Sequence, residues 1–313
     1  MITGRISWPD WRFRKSVLNL YSNMKQYILL AALLFSSVCS AETKAMGQYQ
    51  IGLSMYSQRQ LFQSGELHAF DYPQFAVDNF GITQIDVWDG AFPKGWKNDP
   101  DFLPELKRRA DLAGTEIFLF MSFTLDVSSA DDAKLQAAGN RFKSAIDNAV
   151  VLGAEYVRIF LKTNDQVEEA EAVRRAVVAL RPFADYGEEK GVIVAIEPKQ
   201  SSRLGSGTFL AKVAAELNHP FCKLMPDFGK MSKSDFYQGT EDMMPYTAVV
   251  SAKGLNFKKD GSQKNFDYPR LMKIIRDAKF EGIVAIEYEG KNKGPVEGVI
   301  AMQKILEEQN IAQ

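Results

Sequence analysis

Two stretches of this chain end alike: "GVIVAIEPKQ" (191–200) and "GIVAIEYEG" (282–290). Each passes from glycine through a short apolar, β-branched run and stops on a glutamate, Glu197 in the first and Glu287 in the second. Runs of this length and composition read as strands buried on both faces, the kind found in parallel sheets. A carboxylate at the end of such a strand is costly unless the strand delivers it to a place where it is used or paired.

Similar runs recur from residue 49 onward. They are "YQIGLSMY" (49–56), "TQIDVWD" (83–89), "EIFLFMSF" (116–123), "EYVRIFL" (155–161), "VIVAIE" (192–197), "FCKLMPD" (221–227), "AVVSAKGLNFK" (248–258) and "GIVAIEYE" (282–289). Amphipathic helical stretches separate them, including "DFLPELKRRADLAG" ending on Gly114, "AGNRFKSAIDNAVVLGA" ending near Gly153, "EAEAVRRAVVALRPFADYGEEKG" ending near Gly191, and "DYPRLMKIIRDAKFEG" ending on Gly282. Glycine just past a helix is the common C-terminal stop. Eight strand–helix units in about 265 residues predict an α/β fold, a single (β/α)8 TIM barrel. An open doubly wound sheet is disfavoured because no glycine-rich phosphate loop follows the first strand. The barrel is expected over 45–313.

The segment ahead of it, 1–41, reads as an export region. "MKQYILLAALLFSSVCSA", from Met24 to Ala41, carries a lysine, an apolar core from Tyr27 to Phe35, and then small residues. That is the order of a secretory signal, with cleavage expected after Ser40 or Ala41 and a secreted or periplasmic product. The apolar core is short for a membrane span, so no stable membrane insertion is expected once the signal is removed. Cleavage leaves one cysteine, Cys222, in an apolar stretch where it serves as core filler. The 313 residues carry a formal net charge of −1, which gives no basic footprint for nucleic acid.

Barrel enzymes build their sites at the C-terminal ends of the strands. Glu197, Asp227 in "MPDFGK", Asn256 in "GLNFKKDG" and Glu287 end strands five to eight in turn, and the barrel brings them to one rim. Acids converging there without a counter-ion would repel. The all-oxygen set Glu197, Asp227, Asn256 and Glu287 suits a hard divalent ion, Mg2+ or Mn2+, better than zinc. Arg59 after strand one, Trp88 and Asp89 closing strand two, and Lys162 after strand four are further rim candidates, with Trp88 and Phe92 as an apolar wall against a sugar ring.

"IVAIEP", "LMPDFGK", "GLNFKKDG" and "GIVAIEYEG", in this order, resemble the xylose-isomerase-like barrels, a superfamily of sugar isomerases and epimerases, inosose dehydratases and endonuclease IV. The resemblance implies that Glu197 and Glu287 are metal-binding and acid–base residues, that Asp227 is a metal ligand, and that Asp86 sits where the second strand often carries an acid. The chain departs from the family at its histidines. Lys199 and Lys230 stand where the family has histidine after strands five and six, and Asn256 stands in the strand-seven motif, with Lys258 beside it. His68 and His219, the chain's two histidines, fall in a loop and at the opposite end of the barrel. Lys199, Lys230 and Lys258 are therefore expected to hold substrate oxygens around the metal. In the alternative they neutralise the acids and make a metal-free site.

Two opposed carboxylates suit proton transfer through an enediolate. The expected activity is isomerisation or epimerisation of a small carbohydrate, unphosphorylated because sugar phosphates are a cytosolic pool. A lyase acting on a keto-polyol or 3-keto-glycoside shares the first step, and a non-catalytic sugar-binding barrel is the reading from another class.

Overall fold

The computed structural model describes residues 49–126, 132–163, 166–199 and 203–311. The export region expected at 1–41 and the first residues of the loop after strand five, 200–202, lie outside the described residues.

Among the described residues eight strands form: β1 (Gln50–Leu53), β2 (Gln84–Trp88), β3 (Glu116–Asp126), β4 (Tyr156–Lys162), β5 (Ile193–Glu197), β6 (Cys222–Leu224), β7 (Val249–Gly254) and β8 (Ile283–Tyr288). All named pairings are parallel, in the order β6-β5-β4-β3-β2-β1-β8-β7. The circle closes where β6 meets β7 through two parallel bridges, Leu224 with Thr247 and Asp227 with Ser251. This is the expected TIM barrel. β6 is shorter than its apolar run because Pro226 cannot donate to a ladder.

Helices follow the strands, and Gly114, Gly153 and Gly191 close three of them in the left-handed region, at φ 70°, 68° and 73°. The helix expected to run to Gly282 stops earlier, at Asp277. Lys279 takes the left-handed turn there at φ 53°, and the Lys279 and Phe280 N–H groups return to the carbonyls of Arg276 and Ile275.

Strand alternation explains how near-continuous apolar sequences carry a polar interior. On β5, Val194 and Ile196 join the large core under the helices, while Ala195 belongs to a smaller cluster with Phe118, Met225, Val249 and Ala285. β8 repeats this, with Val284 and Ile286 on the helix side and Ala285 in the smaller cluster. Two residues further along the inward face come Glu197 on β5, Glu287 on β8, and Ser251 then Lys253 on β7. A polar layer thus lies on an apolar floor.

Candidate active site

Glu197, Asp227 and Glu287 are buried and offer oxygens that lie within 4.8 Å of one another. That spacing is one in which carboxylates could close on a metal ion. Asp227 is fixed from behind, its Oδ1 accepting the N–H groups of Gly229 (2.6 Å) and Lys230 (3.0 Å). Ser251 donates its hydroxyl to Glu287 Oε2 (2.8 Å) and lies 3.1 Å from Asp227 Oδ2.

Two cations not singled out in the sequence complete the layer. Lys253, whose side chain is 1% exposed, places Nζ 2.6 Å from Glu287 Oε1, 3.0 Å from Asp227 Oδ2 and 2.7 Å from Glu289 Oε1. It is in direct register with Glu287 across β7 and β8. Arg158 on β4 sets Nε 3.1 Å from Glu197 Oε2, without a well-directed hydrogen bond, and packs its guanidinium 4.1 Å from the centre of the Phe160 ring. The signal for both is a lone basic residue inside an otherwise apolar strand.

This environment pulls the two glutamates apart. Burial pushes Glu197 well above the usual carboxylate range; Arg158 opposes this, and the neighbouring Asp227 and Glu287 add to it. Burial also acts upward on Glu287, but the charge and hydrogen bond of Lys253, with Ser251, hold it down at about 2. Asp227 is raised by burial against the pull of Lys253, with the Glu287 charge adding to the rise. For Lys253, burial acts downward, yet the carboxylates around it keep its ammonium well above the usual lysine value.

The other expected residues are placed differently. Asn256 lies two residues beyond β7, and its Oδ1 accepts the Lys291 N–H (3.2 Å). The side chains that β7 sends to the acids are Ser251 and Lys253, because alternation presents every second residue. Lys258 sits in an exposed turn closed by its N–H to Ser262 O, beside Asp260. Arg59 is committed to backbone, donating to the carbonyls of Tyr288 (3.0 Å), Tyr56 and Glu289, and so ties the first loop to the last strand. Phe92 is core, packed with Trp96 and Phe102. Lys230 lies at the edge of the acids, 3.9 Å from Glu289 Oε1. Lys199 reaches over Phe160 at 5.8 Å, Trp88 stacks edge-on with Tyr56, and Lys162 is exposed at the end of β4. Beside the acids, a cleft of about 580 Å³ is lined by Phe228, Gly229, Phe236, Tyr237, Phe266 and Arg270.

Asp86 is fully buried and accepts the Met55 N–H (2.7 Å), so it braces the loop after β1 instead of facing solvent. Burial raises it to about 8, against the Met55 hydrogen bond and with Glu287 adding to the rise. A folded-state pKa above the unfolded one means the native protein holds the proton longer. Stability therefore falls as pH rises from 3.8 toward about 8, by up to about 1.4 kcal/mol per pH unit. Asp86→Asn is expected to gain on the wild type across that interval, read from urea midpoints at its two ends. A difference that does not change with pH would show that Asp86 is not held protonated.

A divalent ion held by the triad would share its oxygens with two cations already in place. Lys253 Nζ lies within 3.0 Å of two of the three carboxylates and Arg158 stands against the third, while no histidine or cysteine joins the group among the described residues.

Residues 75–309 match the family described as xylose isomerase-like TIM barrel. No curated protein matches the chain. Among solved structures, the IOLI protein with a bound zinc atom superposes with a TM-score of 0.68 at 12% identity, covering 83% of this chain and 98% of its own. The probable 3-DHS dehydratase AsbF of Bacillus anthracis gives 0.63 at 16% identity, covering 82% and 98%. The 3-keto-D-glucoside 4-epimerase YcjR of E. coli gives 0.61 at 12%, covering 84% and 99%. No helix among the described residues is long and apolar enough to cross a membrane.

Proposed function

The chain belongs to the xylose isomerase-like TIM barrels, and from that premise we propose that it is an enzyme that moves a proton on the carbon next to the carbonyl of a small keto-carbohydrate. One observation carries this reading: carboxylates from the ends of β5 and β8, with Asp227 just past β6, close to within 4.8 Å in a buried layer at the barrel mouth. The epimerase and dehydratase among the structural neighbours act through comparable folds and support an activity of this general kind.

The two glutamates are unequal partners. A carboxyl raised by burial is the strongest base of the set once ionised, and a proton donor otherwise; a carboxylate held near 2 is a weak base. Glu197 is thus the proton carrier, while Glu287 stays ionised against Lys253. Glu197 takes the proton from carbon, and the electron pair moves to the carbonyl oxygen as an enediolate. The proton of the adjacent hydroxyl passes to that oxygen, and return of the carbon-derived proton to the former carbonyl carbon, as the hydroxyl oxygen becomes the new carbonyl, gives the isomer. A single carrier suffices for isomerisation, whereas epimerisation needs a second group on the opposite face.

A second reading is supported by the aromatic cleft beside Asp227, which has room for the remainder of a glycoside. There the enediolate expels the substituent β to the carbonyl and the enzyme is a lyase. Neither scheme routes a step through the expected Mg2+ or Mn2+, whose ligands Glu197, Asp227 and Glu287 also face Lys253 and Arg158. The signal-like order of residues 24–41 supports an exported protein, and hence an unphosphorylated substrate.

The test is NMR in D2O with keto-hexoses and 3-keto-glycosides. Deuterium entering the carbon next to the carbonyl is the expected result. An unsaturated product selects the lyase. Folded protein that neither exchanges nor converts any of these substrates would remove the proposal.

A further inference from the structure

The cation that this constellation of acids requires is supplied by the chain itself. An ammonium has three hydrogens, and Lys253 Nζ lies within 3.0 Å of oxygens of three carboxylates, Asp227, Glu287 and Glu289, with a hydrogen bond to Glu289. A metal ion bound by the triad would compete with that ammonium for the same oxygens of Asp227 and Glu287.

The lysine is also seated by its surroundings. Its stem runs against the backbone of Gly229, where a Cβ would stand 2.6 Å from Lys253 Cγ and 2.9 Å from Cε. The glycine of "MPDFGK" therefore leaves the channel through which the stem reaches the acids. Tyr268 donates its hydroxyl to the Lys253 carbonyl (2.8 Å), fixing the backbone from which the stem departs. The pairing with Glu287 is built into strand register and does not depend on a loop.

We propose that Lys253 takes the place of a divalent ion in this barrel, so that the site is assembled and works without a metal. This rests on reading Glu197, Asp227 and Glu287 as the functional site, but its test does not use turnover. Lys253 is a positioning residue: with its ammonium held among the carboxylates, it acts by fixing the charge and geometry of Glu287 and Asp227.

The experiment uses full-length protein purified without chelator. Elemental analysis should find only substoichiometric manganese, zinc and magnesium, and the melting temperature should not move with EDTA or with added Mn2+ or Zn2+. About one ion per chain, lost to EDTA together with a fall in melting temperature, would overturn the proposal. Lys253→Ala should melt below the wild type and recover on addition of Mn2+, because its acids are then open to an ion. A folded Lys253→Ala whose melting is indifferent to Mn2+ and Zn2+ would equally overturn it. If that variant does not fold, the wild-type measurements decide. Metal in the wild type would leave the proton-transfer reading standing, whereas a metal-free protein without deuterium exchange would remove that reading and leave this one.

Discussion

Glu197→Gln is expected to lower turnover by about 10²–10⁴-fold while leaving the fold intact. Glutamine keeps the size of the side chain and offers an amide N–H on the side of Asp227, whose carboxylate lies within 4.8 Å. What it lacks is a proton to give or a carboxylate to take one. The thermodynamic sign is the reverse of a typical active-site loss. Because the folded pKa of Glu197 lies above its unfolded value, ionisation costs stability as pH rises beyond the ordinary carboxylate range, and the variant is freed of that cost. It should therefore melt no lower than the wild type at neutral pH. The paired measurement is the rate of deuterium exchange on the substrate with a melting curve on the same sample. Exchange near the wild-type rate in folded Glu197→Gln would remove Glu197 from the chemistry. Glu287→Gln should differ in kind, because it strips Lys253 and Ser251 of an ionised partner and its first effect is on stability.

Lys253→Met carries the largest expected stability loss, about 3–5 kcal/mol, the usual consequence of removing one member of a buried ion pair. Methionine fills the channel beside Gly229 but leaves the acids without their ammonium. The pH dependence identifies the cause. In the wild type the folded pKa of Glu287, about 2, lies below its ordinary 4.5. The pair's contribution is therefore complete above 4.5 and is lost as pH falls toward 2. The gap between wild type and Lys253→Met should narrow over that interval, read from urea midpoints. A gap that stays constant down to the acid limit would point to lost packing, and a variant as stable as the wild type would show that Lys253 contributes nothing net.

The fold is legible in the sequence because each strand is a short apolar run bounded by glycine or proline, and because Gly114, Gly153 and Gly191 mark helix ends by a backbone conformation that few other residues adopt. Glu197, Asp227 and Glu287 are legible because a carboxylate that closes a buried strand must be paired or put to use. Asn256 draws attention through its motif, but the motif lies past the strand end. Counting by twos along β7 leads to Ser251 and Lys253 instead. Arg158 and Lys253 escape a reading that looks to strands for apolar content, although a solitary charge in such a strand has the same significance as the glutamates. The role of Arg59 leaves no trace at all. Its acceptors are carbonyls of β8 and the residue after it, with Tyr288 lying 229 residues away in the chain, and backbone oxygens leave no mark in a sequence.

The pairing of β1 with β8 has a consequence for biosynthesis. Gln50–Leu53 is made well before one of its two neighbours, Ile283–Ile286, which follows it in the chain after six other strands. Until then β1 has an open edge, and so does β7, whose ladder is with β8. Closure waits for β8 and carries a high loop-closure cost. A transcript cut short before Ile283 would yield a chain with two sticky borders, each a template for a neighbouring nascent chain. Late truncations should therefore appear in the cell as insoluble or degraded protein and not as a smaller working barrel.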